Sequence, residues 1–173
     1  MEDDRRSRAE ALFAAHARAV LAYARRRASA ATADDVLSDV FLVAWRRLDD
    51  LPADPRPWLL ACARTALANH QRADRRRLRL LGRLSATGAA ASPPIELRDG
   101  ALAHALAALS ERDREVLLLP AWEGLSAERA AAVLGCSPEA FRVRSHRARK
   151  RLAAALKSAD TAKAPTTIEV CND

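Results

Sequence analysis

The side chains best suited to chemistry in this chain are cationic, and they crowd into one short stretch. Arg142, Arg144, Arg147, Arg149, Lys150 and Arg151 lie within ten positions, with His146 among them. Guanidinium and ammonium groups at helical spacing hold phosphate oxygens, and a guanidinium fork can also read a base edge. No nucleophile sits near a base, and no set of carboxylates is spaced to hold catalytic metal ions, so catalysis has no candidate machinery. Cys62, Cys136 and Cys171 are widely spaced, and His16, His70, His104 and His146 have no ligand-like spacing to them. No metal or other cofactor is expected. The chemistry on offer is noncovalent recognition of a polyanion.

The stretch from Gly124 to Leu152 must position those cations. Ser126 can cap a first helix, with Glu128 in its first turn, where a negative charge suits the helix dipole. Ala130, Ala131, Val133 and Leu134 form a small apolar face, and Gly135 can take the positive φ that ends the helix. Ser137 caps a second helix, with Pro138 at its first position, where a missing N–H costs nothing. Phe141, Ser145, Ala148 and Leu152 share one stripe of that helix, and the cations occupy the opposite face. The spacing predicts a helix-turn-helix whose basic second helix fits a DNA major groove.

Composition agrees. The chain has 173 residues and a net charge of +7, which favours a polyanionic partner. Aromatic residues make up only 4%, so the core must rest on Ala, Leu and Val, a composition that favours helices. Charge is unevenly distributed: seven arginines fall between Arg64 and Arg83, and seven basic residues between Ser137 and Lys157. Between Asp34 and Asp50, five aspartates oppose only Arg46 and Arg47. Two basic blocks around an acidic one predict two nucleic-acid contacts and a separate protein contact. No apolar run reaches the roughly 20 residues of a membrane span, and the charged start lacks a signal-peptide core. Unpaired, scattered cysteines fit reduced thiols and a cytoplasmic location.

In chain order, the pattern predicts a helix from Ala9 to Ala28, a break over Ala30–Ala33, and a helix capped by Thr32. That second helix, over Asp35–Leu48, should bury Leu37, Phe41, Ala44, Trp45 and Leu48. Three prolines predict a loop over Leu51–Pro57, followed by a long helix from Trp58 to Gly82. Trp58, Leu59, Cys62, Ala66 and Leu67 should face inward on it. Residues 85–100 have linker composition. A helix follows from Gly100 to Leu109, then another capped by Ser110, with Asp113 at the capping-box position, a kink at Pro120 and a stop at Gly124.

Several of these stretches carry one resemblance. Ser-Pro-Glu-Ala-Phe-Arg-Val-Arg-Ser-His-Arg-Ala-Arg, from Ser137 to Arg149, resembles region four of bacterial sigma factors of the extracytoplasmic-function group. It matches at Ser137, Pro138, Arg144, His146, Arg147, Ala148 and Arg149, and departs at Glu139, Ala140, Val143 and Ser145. Leu109, Arg114, Glu115, Val116, Leu117 and Leu119 meet the pattern that precedes it. Asp-Val-Leu-Ser-Asp-Val-Phe-Leu-Val-Ala-Trp, from Asp35 to Trp45, is similar to region two of the same group, with Ser38 for the usual Gln and Asp39 for the usual Glu. The Trp58–Arg72 run is similar to the next part of region two, with Thr65 for the usual Asn and Asn69 for the usual Asp.

The resemblance implies an all-α chain of two small helical domains on a flexible linker, the second containing the helix-turn-helix. Residues 1–84 would be the region-two domain, 85–100 the linker, 101–157 the region-four domain and 158–173 a disordered tail. Such a protein would not be an enzyme. It would recruit core RNA polymerase, through the clamp and flap, to promoter DNA, and an anti-sigma factor is a further partner of proteins in this group. Asp35, Ser38, Asp39, Leu42 and Arg46 would meet the polymerase. Arg64, Asn69, His70, Arg72, Arg75 and Arg76 would meet the minus-ten element, and a loop over Leu51–Pro57 would receive a flipped base. Arg142, Val143, His146 and Arg147 would read the minus-thirty-five element, while Arg144, Arg149 and Lys150 hold phosphates. The rival reading is a stand-alone helix-turn-helix regulator.

Overall fold

The computed structural model describes residues 2–80 and 100–163, so the linker composition over 85–99 and Cys171 lie outside the described residues. Seven α-helices and one short 3-10 helix, with no strand, make up the described residues. They are α1 (Glu2–Arg25), α2 (Ala30–Arg46), a 3-10 turn (Leu48–Asp50), α3 (Pro55–Leu80), α4 (Gly100–Ala108), α5 (Glu111–Glu123), α6 (Ala127–Leu134) and α7 (Pro138–Lys163). The expected all-α class is observed.

Several boundaries differ from the sequence expectation, each for a local reason. Helix α2 starts earlier than expected because Ser29, not Thr32, is its cap: the Ser29 hydroxyl accepts from the Thr32 N–H at 3.3 Å. Only residues 51–54 form the loop expected over 51–57. Pro55 and Pro57 fall in the first turn of α3, where no intrahelical partner exists for their missing N–H groups. Helix α7 continues to Lys163, into the stretch expected to be a disordered tail.

The expected inward face of α2 is also offset. Ala33, Val36, Val40, Ala44 and Leu48 are buried, while Leu37 and Phe41 only flank the core. Trp45, expected inside, lies at the surface with the Arg5 guanidinium over its ring at 5.2 Å. On α3, Leu59, Leu60, Ala63 and Leu67 are buried, and Trp58, Cys62 and Ala66 pack against them half-buried.

One core unites the two halves of the chain. Val20, Tyr23, Val36, Val40, Leu59 and Leu60 from the first half cluster with Val116, Leu119, Leu125, Val133 and Phe141 from the second. Leu119 is completely buried there, a contribution of roughly 1.5–3 kcal/mol. A smaller cluster, Leu106, Leu109 and Leu118, joins α4 to α5 beside Leu152 of α7. Helix α3 packs on α1, α2 and α6, and α7 packs on α4, α5 and α6.

Candidate nucleic-acid interface

The corner between α6 and α7 is built as its residue types require. Ser126 accepts from the Arg129 N–H at 3.3 Å and Ser137 from the Ala140 N–H at 3.2 Å, which caps both helices. Gly135 closes α6 at φ 62°, and the Cys136 N–H reaches back to the Ala131 carbonyl at 3.0 Å. Upstream, Ser110 caps α5 through the Asp113 N–H, and Gly124 ends it at φ 62°. Phe141, Ser145 and Ala148 are buried, which fixes the rotation of α7 and turns its basic face outward.

Two cations of α7 are held by carboxylates. Arg142 lies 2.6 Å from Glu128 of α6 and 3.8 Å from Glu139, and Arg151 lies 2.7 Å from Asp113 of α5. The Glu128 carboxyl is kept below the usual glutamate range first by its own backbone N–H, then by the Ser126 hydroxyl, with Arg142 adding to the effect. By contrast, among the described residues no carboxylate pairs with Arg144, Arg147, Arg149 or Lys150, all of which are exposed beside His146 and Val143. The α7 residues expected at the minus-thirty-five element therefore share one surface, with Arg142 tethered at its edge.

Helix α3 presents its cations differently. Arg64, expected to face DNA, donates from Nε to both oxygens of Glu115 on α5, at 3.1 and 3.0 Å. Arg72 bonds to Asn69 at 2.5 Å. His70 Nε2 lies 3.1 Å from Asp39 of α2, which joins a residue expected at the minus-ten element to one expected at the polymerase. Arg75 and Arg76 are exposed with no carboxylate partner among the described residues. The α3 set is thus split: its N-terminal member turns toward the second half and its C-terminal members face solvent.

On α2, Asp35, Ser38, Asp39, Leu42 and Arg46 are all exposed, as expected for a docking face. Val43 and Trp45 are exposed next to Leu42, so this face is more apolar than the sequence reading proposed. The signal was available: shifting the apolar stripe by one residue, onto 36, 40 and 44, leaves Trp45 outside.

Sequence reasoning missed the residues that join the halves. Tyr23 Oη donates to Glu115 at 2.9 Å, and its phenol is pushed well above its usual pKa, mainly by burial, with Arg27 opposing and Glu115 adding. Arg26 and Arg27 approach Glu123 at 2.5 and 3.6 Å, and Arg129 pairs with Asp54 at 2.8 Å. Such pairs join residues up to 97 positions apart and leave no local pattern.

The matches to known proteins follow the same division. Residues 12–77 match Sigma-70 region 2, and residues 99–152 match Sigma-70, region 4. The RNA polymerase sigma factor CnrH of Cupriavidus metallidurans is 37% identical over 138 residues, covering 71% of this chain and 72% of that protein. The ECF RNA polymerase sigma factor BldN of Streptomyces coelicolor is 32% identical over 132 residues, covering 71% of this chain and 50% of BldN. The sigma factor RpoE from Bartonella quintana, solved in complex with the anti-sigma factor NepR, superposes with a TM-score of 0.64 at 27% identity, covering 86% of this chain and 96% of that one. With both sigma regions present in order, this chain belongs to the RNA polymerase sigma factors of the extracytoplasmic-function group.

Proposed function

We propose that this sigma factor docks on core RNA polymerase through the α2 face and reads promoter DNA with two basic surfaces carried by separate units, 1–84 and 101–157. Helix α7 reads the minus-thirty-five element: Val143, His146 and Arg147 meet base edges, and Arg144, Arg149 and Lys150 hold phosphates. Arg142 contributes at the rim, because Glu128 and Glu139 share its guanidinium. The outer part of α3, with Asn69, half-buried His70, Arg72, Arg75 and Arg76, meets the minus-ten element, and Arg64 joins it once free of Glu115. Asp35, Ser38, Asp39, Leu42 and Arg46 form the docking face, extended by Val43 and Trp45.

The observation that carries this reading is the uncompensated charge of α7. A helix capped by Ser137 and fixed by a buried stripe exposes four cations without a carboxylate partner among the described residues. That charge is unfavourable in isolation and is relieved by a polyanion. No helix among the described residues is long and apolar enough to cross a membrane, and a cytoplasmic site of action is part of the proposal. So is an anti-sigma partner, by analogy with the complex of RpoE and NepR. The protein acts by binding, not catalysis.

The test is reconstitution. Purified core polymerase, this protein and genomic fragments should give transcripts from particular promoters only when polymerase and protein are both present. Absence of such transcripts, together with specific DNA binding that ignores polymerase, would instead support the stand-alone regulator.

A further inference from the structure

A cavity of about 420 Å³ lies among α1, α3 and α5, within the roughly 300–1,000 Å³ of small-molecule sites. Its lining is of two kinds. Leu67 and Leu118 are buried and, with Ala68 and half-buried Trp122, supply apolar surface. Gln71, one turn along α3 from Leu67 and Ala68, adds an amide that can both donate and accept.

The rest of the lining is cationic, and half of its six arginines are spent on the protein. Arg26 is taken by Glu123, Arg27 donates to the Tyr23 carbonyl, and Arg114 donates to three carbonyls around the end of α4. Arg64, Arg72 and Arg112 differ, for all three are exposed. Arg64 meets Glu115 through Nε, and Arg72 bonds to Asn69, a neutral group. Arg112 has no hydrogen-bond or ion-pair partner among the described residues. Glu115 is already shared by Arg64 and Tyr23, which leaves exposed Glu111 as the opposing carboxylate.

Arg64 and Arg112 also line a neighbouring cavity of about 350 Å³, to which α7 contributes Arg144. The cations thus border two adjoining spaces. Guanidinium forks bind phosphate oxygens in pairs, so this arrangement suits a chain of phosphates better than a single anion. Apolar surface and an amide beside such cations can take a base together with its phosphates.

We propose that this protein binds a nucleoside polyphosphate here, with the base against Leu67, Leu118 and Trp122 and the phosphates at Arg64, Arg72 and Arg112. The site stands on the cavity and needs nothing from the docking of polymerase.

The experiment is calorimetric titration of the full-length protein with GTP, guanosine and tripolyphosphate, each without added metal, after circular dichroism shows each variant helical. GTP should saturate one site and bind more tightly than either of its parts, by on the order of tenfold, because each part uses one kind of surface. Arg112→Ala removes a partnerless side chain and should weaken GTP and tripolyphosphate alike, by on the order of tenfold. Glu111→Gln should tighten both, by about threefold. Ala68→Leu fills the apolar side and should cost GTP its advantage while leaving tripolyphosphate unchanged. Arg147→Ala, outside both cavities, should leave every affinity as it was. Failure of GTP to saturate at millimolar concentration overturns the site. So does a loss with Arg147→Ala as large as that with Arg112→Ala, which would mean general attraction to the basic surface. Tripolyphosphate binding as tightly as GTP overturns the nucleotide assignment in favour of inorganic polyphosphate. If Ala68→Leu does not fold, the comparison of GTP with its two parts still decides that point.

Discussion

Helices α3 and α7 are each 26 residues long and rich in arginine, and each ties some cations and leaves others free, but along different stretches. On α3, Arg64 is engaged by Glu115, His70 by Asp39 and Arg72 by Asn69. On α7, Arg144, Arg147, Arg149 and Lys150 have no carboxylate partner among the described residues. Placement explains the difference. Asp39 of α2 and Glu115 of α5 reach across to α3, and Asn69 is supplied by α3 itself, whereas on α7 Glu128 and Asp113 reach Arg142 and Arg151 and leave the four cations between them free among the described residues. A basic helix in a sequence therefore says what a surface could bind; its neighbours decide whether that surface is available.

The largest test of this contrast is at the junction of α2 and α3. Asp39→Arg should weaken core polymerase binding by on the order of 2–5 kcal/mol while leaving the melting temperature near wild type, because Asp39 is exposed and among the described residues its side chain bonds to His70 alone. Copurification with core is the readout. Retained core binding would remove α2 from the docking surface.

Next comes the distinction within α7. Arg147→Ala should cost ~1–3 kcal/mol of promoter binding and relax preference at particular base pairs. Arg142→Ala should cost less, since Glu128 and Glu139 already compete for its guanidinium. Equal losses in a binding assay over single-substitution promoters would show that tethering does not matter.

Ser145 offers a smaller effect. It is a hydroxyl buried between Phe141 and Ala148, in a stripe otherwise apolar. Ser145→Leu should raise the melting temperature by a few degrees if the site has room. A drop would show that the interior there is already full.

The smallest effect is that of pH on the α6–α7 corner. Because the folded Glu128 carboxyl is held below its ordinary range, its stabilising contribution is present above that range. It is lost as pH falls through the depressed value. Thermal melts should therefore show a shallow acid-side decline that Glu128→Gln reduces.

How much was legible follows from how local the determinants are. Ser110, Ser126, Gly135, Ser137 and Pro138 were readable because caps and left-handed stops act within four residues. The acidic outward face of α2 and the buried stripe of α7 were readable from helical spacing. Ser29 was missed because Thr32, three residues on, offers the same chemistry, and the chain chose the earlier cap. Pro55 and Pro57 read as loop in the sequence because the residue that breaks a helix interior is also tolerated in a first turn, where the structure has them. Helical spacing with Leu37, Phe41 and Leu48 puts Trp45 inside, whereas the buried stripe runs one residue earlier and Arg5 covers Trp45 at the surface. Arg64 was assigned to DNA, and its engagement by Glu115 depends on docking of residues 51 positions apart. No periodicity carries that information.

The central claim is that the two basic surfaces act together only on polymerase. Promoter affinity should be measured by gel shift with and without core polymerase, beside a scrambled duplex and over a range of salt. The free protein should bind weakly, with a steep salt dependence and little preference for sequence, and core should confer tight, promoter-specific binding. Nanomolar, specific binding by the free protein, unchanged when core is added, would contradict the account.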